Sequence, residues 1–129
     1  MGGGRPDRPE LGNGWFVEPT IFGGVRNDMR IAQEEVFGPV LSVIPFDSAD
    51  EALSIANDTS YGLAAGVWTQ DIRKIKHLSE RLQAGTIWAN TYRVISYMTP
   101  LRGYKNSRLG PQNGPKPTPP YLQFHYHPS

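Results

Sequence analysis

The sequence contains no cysteine in 129 residues. That single absence removes a disulfide scaffold, a thiolate metal site and a cysteine nucleophile together. A strong charge of either sign is missing too: 13 Lys and Arg stand against 12 Asp and Glu, a net charge of +1. Nothing in that balance steers the chain toward nucleic acid or an anionic membrane, and neither is expected as a partner. The longest apolar run, Pro39 to Phe46, is far too short to span a bilayer. The opening Met1-Gly2-Gly3-Gly4-Arg5-Pro6 lacks the apolar stretch of a secretory signal, so a soluble, cytoplasmic protein is expected. Phosphate-binding loops are wanting as well. Gly62-Leu63-Ala64-Ala65-Gly66 does not have the G-x-G-x-x-G spacing, no G-K-S/T occurs, and the glycines at 2–4 follow no strand. His125 and His127 alternate as two strand ligands would, yet no third ligand lies near them. They read as part of a loose tail, and no metal is expected.

What is present suffices for a packed core: hydrophobic residues make up 38% and aromatics 11% of the chain. Residues 1–38 are rich in Gly, Pro and Asn and carry two short apolar pieces, Trp15-Phe16-Val17 and Thr20-Ile21-Phe22, which read as brief strands. Residues 39–90 are the ordered heart, and the chain turns Pro-rich after Gly110. Val40-Leu41-Ser42-Val43-Ile44 is β-branched and apolar, as a buried strand would be. Ser48-Ala49-Asp50-Glu51 has capping-box spacing and opens a helix with Ala49, Ala52, Leu53 and Ala56 on one face. Tyr61-Gly62 signals a turn, and Leu63 to Trp68 reads as a second strand. A second helix begins near Asp71, with Ile72, Ile75, Leu78 and Leu82 along one stripe and Gly85 where a C′ glycine would end it. Gly85 to Asn90 is then a third strand.

Strand, helix, strand, helix, strand with short connections predicts an α/β fold: a partial parallel sheet with a βαβαβ core and right-handed crossovers. Ligands of such sheets gather at the carboxyl ends of the strands, here Phe46-Asp47, Thr69-Gln70 and Asn90-Thr91-Tyr92. A parallel sheet needs cover on both faces, and two helices are too few. Leu41, Val43, Val67, Ile87 and Trp88 are expected to leave apolar area facing water. At roughly 25 cal/mol per Å² an uncovered face forfeits stability comparable to that of a whole domain. The cover is expected from upstream chain or from a partner subunit.

Three features have plain readings. His77 lies among Arg73, Lys74 and Lys76 and belongs to a solvated basic face. Pro117-Thr118-Pro119-Pro120 has P-x-x-P spacing, more often a polyproline linker than a recognition motif. Gln33-Glu34-Glu35-Val36-Phe37-Gly38-Pro39 is sharper. It is either an acidic turn before a buried strand, or a carboxylate placed for sugar hydroxyls with an aromatic ring packed on the sugar. Residue physics leaves both open.

That heptad is also where the chain resembles the aldehyde dehydrogenase superfamily, whose signature is E-E-I/V-F-G-P-V. Gly14-Trp15-Phe16-Val17-Glu18-Pro19-Thr20-Ile21-Phe22 is similar to the family's G-Y/F-F/Y-x-x-P-T segment. Asn57-Asp58-Thr59-Ser60-Tyr61-Gly62-Leu63-Ala64 resembles its N-x-x-x-Y-G-L, and Gly85-Thr86-Ile87-Trp88-Ala89-Asn90 its G-x-V/I-W/F-V/I-N strand. Four motifs in family order make a specific signal. The resemblance implies the C-terminal part of a catalytic domain over residues 1–110, followed by a divergent tail at 111–129. In the family a cysteine attacks the aldehyde, an asparagine and backbone amides hold the oxyanion, a glutamate is the general base, and NAD or NADP takes the hydride. By that resemblance Glu35 holds the nicotinamide ribose hydroxyls and Phe37 packs beside them. Residues 91–101 form part of the aldehyde pocket wall, with Ile95 and Leu101 as apolar lining. The nucleophile, base and dinucleotide-binding half lie upstream in the family, so Met1 is expected to start mid-fold and this chain alone to be inert. A homo-oligomer, or docking on a full-length relative, is the expected association.

Departures cluster near the end. Where the family shows P-F-G-G-x-K-x-S-G-x-G-R-E, this chain has Leu101 for Phe, Arg102 and Arg108 for Gly, and Pro111-Gln112 for Arg-Glu. Arginine adds a Cβ where glycine left the backbone free, and Gln112 cannot relay a proton. The family's closing strand, used between subunits, is not recognisable in Tyr121-Leu122-Gln123-Phe124-His125.

Overall fold

A computed structural model of the chain describes residues 2–94 and 103–107. The chain divides into two compact units, Met1–Ser48 and Ala49–Ser129. The first unit carries a 3-10 turn at Pro9–Leu11, strand β1 (Thr20–Phe22), a single-turn helix α1 (Arg30–Gln33) and strand β2 (Val40–Ser42). β1 and β2 run parallel, with Ile21 opposite Leu41. The pairing continues past β2, since Val43 N–H donates to Phe22 O at 2.8 Å and Val25 N–H to Val43 O at 3.1 Å. Thr20 is buried, and its hydroxyl avoids the cost of an unpaired polar group by donating to Glu18 O at 2.8 Å. Trp15-Phe16-Val17 joins no ladder among the described residues, contrary to expectation; no strand lies beside it, and Trp15 is fully exposed.

The second unit runs α2 (Ala49–Asn57), β3 (Tyr61–Gly62), β4 (Ala64–Val67), α3 (Ile72–Ser79), β5 (Thr86–Ala89) and β6 (Tyr104–Lys105). α2 begins directly after Ser48, where the capping-box spacing puts it. The α3 N-cap is Asp71, whose carboxylate accepts the Arg73 N–H at 2.9 Å. β4 and β5 are parallel, with Gly66 opposite Trp88. The three strands read from the sequence are thus all present in parallel ladders, β2 paired with β1 and β4 with β5.

Two local readings are corrected. Tyr61-Gly62 is not a simple turn but strand β3, antiparallel to β6. Gly62 permits this because a Cβ there would run into the Gln83 carbonyl and the Tyr104 side chain. Gly85 does not end α3, which stops at Ser79 with Glu80 as its C-cap. The Asn57 carboxamide does the work a glycine cap would have done. It donates to Arg81 O at 2.9 Å and accepts from Gln83 N–H at 2.8 Å. Gly85 instead donates to Gly62 O at 3.1 Å.

Side chains alternate across a strand, so Ala65, Val67 and Ile87 share one face of the β4–β5 ladder while Ala64, Gly66 and Trp88 share the other. α3 packs on β4, and Val67 is only 8% exposed. Val67 was expected to lack cover; α3 supplies it. Ile87 and Trp88 are half-buried, whereas Leu41 is 57% exposed and Val43 45%. Among the described residues only two hydrophobic side chains, Val25 and Val67, reach the buried class.

Candidate functional site

Two places in the described chain carry chemistry, one in each unit. In the first, α1 ends at Glu34, which is extended at φ −100° and ψ 146°. Its carboxylate accepts two hydrogen bonds from Arg30, Nε to Oε1 and Nη2 to Oε2, both 2.8 Å. Those hydrogen bonds, with the attraction of the Arg30 charge, hold the Glu34 carboxyl below its ordinary value against the opposing effect of desolvation, and push Arg30 up. The two adjacent acids are therefore unlike. Glu34 is engaged by Arg30, while Glu35 is exposed and has no side-chain partner among the described residues. Phe37 is 93% exposed, a ring with no packing of its own. The segment between them is held at both ends: Glu34 N–H donates to Arg30 O at 2.8 Å, and Pro39 O accepts from Thr20 N–H at 2.8 Å. The free carboxylate of Glu35 and the exposed ring of Phe37 thus stand two residues apart on a segment pinned to α1 and β1, a candidate place for a ligand with hydroxyls and a flat apolar face.

In the second unit the carboxyl ends of β4 and β5 are tied together. The Asn90 carboxamide accepts Thr69 N–H at 2.9 Å and donates to Thr69 O at 3.0 Å. Asn90 has φ +52°, a left-handed conformation that asparagine tolerates better than most residues. The chain then folds back over the open face of the ladder. Trp88 Nε1–H donates to Val94 O at 2.8 Å, and the Tyr92 ring lies 5.6 Å from Trp88 and 6.4 Å from Trp68. The Trp68 indole covers Gly66 so closely that a Cβ there would collide with it. The result is a trough of about 520 Å³ with Ala64 and Gly66 beneath and Trp88, Tyr92 and Arg93 around it. The strand ends Thr69 and Asn90 were expected to gather ligand; they bind each other, and the open space lies on the ladder face beside them.

Ile95 and Leu101, the expected apolar lining of the aldehyde wall, fall outside the described residues, as do Arg102, Arg108, the P-x-x-P run and the paired histidines of the tail. Among the described residues no group of His, Cys, Asp and Glu could hold a metal, and no helix is long and apolar enough to cross a membrane. His77 is not merely solvated: its Nε2 lies 2.7 Å from Asp50 Oδ1 and links α3 to α2. Tyr92 was named in the sequence as part of a strand end, whereas Trp68 and Arg93 were given no role of their own. A signal for them was there in two tryptophans near the ends of adjacent parallel strands, Trp68 just past β4 and Trp88 inside β5.

The aldehyde dehydrogenase family model matches residues 1–126. The chain belongs to the aldehyde dehydrogenase family. This family member is 51% identical over 113 residues to betaine aldehyde dehydrogenase of Bacillus subtilis, a match covering 88% of this chain and 23% of that protein. A putative aldehyde dehydrogenase of the same organism is 48% identical over 101 residues, covering 78% of this chain and 20% of the relative. Among solved structures, betaine aldehyde dehydrogenase from Staphylococcus aureus in complex with NAD+ superposes with a TM-score of 0.89 at 42% identity, over 95% of this chain and 24% of that one. A Mycobacterium tuberculosis aldehyde dehydrogenase complexed with NAD+ gives a TM-score of 0.82 at 50% identity, over 89% and 23%. The chain thus spans about a quarter of the length of the relatives it matches.

Proposed function

We propose that this chain supplies the cofactor-ribose contact and part of the aldehyde wall of an NAD(P)-dependent aldehyde dehydrogenase, which oxidises an aldehyde to a carboxylic acid, and that the 129 residues alone do not turn over. The family match across residues 1–126 carries the reading. The state of the two motif residues supports it: Glu35 has no partner among the described residues and Phe37 is unpacked, so both are free to take a ribose and its ring. Bound NAD(P) would supply the hydride acceptor. Glu35 would accept hydrogen bonds from the ribose hydroxyls, and Phe37 would exclude water from the sugar's face. Orientation of this kind is the protein's share of the work in hydride transfer. Ile95 and Leu101 would line the aldehyde side, with residues 1–110 forming part of the catalytic domain and 111–129 a tail.

The nucleophile has no candidate within the chain, since a thiolate is required and no cysteine occurs. Purified chain mixed with NAD+ or NADP+ and a panel of aldehydes is therefore expected to show no growth of reduced-cofactor absorbance over a blank. Steady growth, abolished by Glu35→Ala, would overturn the inertness and leave the cofactor role standing.

A second reading has its own observation. Leu41, Val43, Ile21 and Phe22 leave the β1–β2 ladder widely exposed. A surface of that kind favours association with a longer family chain or with copies of itself. Light scattering that returns a compact monomer with no binding of an apolar-surface dye would count against it.

A further inference from the structure

The trough beside β4 and β5 has the capacity of a small-ligand site, about 520 Å³ against the usual range of roughly 300 to 1,000 Å³. Its lining is apolar and aromatic apart from Arg93, which is the one charged group among the described residues around it. No carboxylate pairs with Arg93 among the described residues. The guanidinium stands 5.1 Å from the centroid of the Tyr92 ring. That face, the natural resting place for a ligand cation, is therefore already taken by a cation of the protein. Arg93 itself has φ +56°, a conformation arginine adopts at a cost. It is held there from both sides. The Asn90 carboxamide anchors the chain before it and the Trp88 indole N–H grips Val94 O after it.

We infer that Arg93 makes this trough selective for molecules that join an apolar or aromatic body to a negative group, and selective against those carrying a quaternary ammonium. An apolar body packs against Trp88 and Ala64 while a carboxylate meets the guanidinium, which offers a forked pair of donors. A cationic head in the same place meets like charge, with no acid among the described residues to offset it. The biological meaning rests on the proposal above that residues 91–101 border the aldehyde site. On that reading the preferred substrate is an aldehyde with a negative group elsewhere in the molecule, and cationic aldehydes are disfavoured, although several relatives are betaine aldehyde dehydrogenases by name.

The test uses two probes with the same ring and opposite charge, phenylacetate and benzyltrimethylammonium, titrated into the full 129-residue chain at low ionic strength with tryptophan fluorescence as the readout. Because Arg93 is exposed and its charge partly screened, phenylacetate is expected to bind about tenfold more tightly. The gap should narrow as salt is added. Arg93→Asn, whose new residue accepts the left-handed backbone, should bring the ratio close to one, while Arg93→Lys should keep its direction. Circular dichroism identical to that of the parent chain checks that each variant is folded. Equal or inverted affinities, no saturable binding of either probe, or a preference that survives Arg93→Asn would overturn the inference. None of these outcomes depends on turnover, so they leave the proposed reaction to its own assay.

Discussion

At the scale of single residues, the motifs that resemble the family separate into chemistry and carpentry once their atoms are placed. In Glu34-Glu35 the first acid is bound by Arg30 and the second has no side-chain partner among the described residues. Residue chemistry alone shows two identical side chains, and only the resemblance singles out Glu35, because the Arg30 contact depends on a helix of one turn, α1, that has no readable periodicity. Glu34 should titrate below the ordinary 4.5, and Arg30→Ala should return its midpoint toward that value in a carboxyl NMR titration. The sign follows from a folded pKa that is depressed. Whatever stability the pair adds is present above the unfolded value and drains away as pH falls through the lower folded one. Gly62 has a sharper demand. Its Cβ would meet the Gln83 carbonyl, a backbone atom with little room to yield. Gly62→Ala should therefore lower stability by about 1–3 kcal/mol, read as a drop in the urea midpoint at unchanged slope.

The elements show where pattern reading succeeds. The strands at 40, 64 and 86 and the helices between them were legible because their signals are local: β-branched runs, a capping box, an aspartate N-cap. The end of α3 was not legible, because its closure comes from Asn57, more than twenty residues earlier in the chain. Strand β3 was hidden for the same reason, its partner β6 lying some forty residues on. Asn57→Ala should cost about 1–2 kcal/mol for two lost hydrogen bonds at partly exposed positions. Hydrogen exchange at the Gln83 amide should quicken with it while the amides of β5 keep their protection. If β5 also loosens, Asn57 supports the ladder and not merely the end of the helix.

For the whole molecule, the shortage of cover read from the sequence is met only in part. α3 shields Val67, yet Leu41, Val43, Trp68 and Phe37 stay open to water. The expectation was sound for the β1–β2 ladder and too broad for β4, because counting helices says nothing of which strand each one sits on. An apolar-surface dye should fluoresce in the presence of the chain at neutral pH, and the signal should fall when a longer family chain or self-association buries those faces. The candidate site divides in the same way. Glu35 and Phe37 could be named from the resemblance, but Arg93 could not, since its interest lies in the ring beneath it and in the lack of an acid partner among the described residues.

The carboxamide of Asn90 has a further consequence, since in Asn90→Asp the side chain keeps an oxygen for Thr69 N–H but has no N–H to give. It would turn a negative oxygen toward the Thr69 carbonyl that the amide now serves. The knot joining the two strand ends would then repel on one side, and the backbone carrying Tyr92 and Arg93 would lose its tether. In Asn90→Asp the amides around Thr69 should therefore exchange their hydrogens faster, while those of α2 and α3 keep their protection.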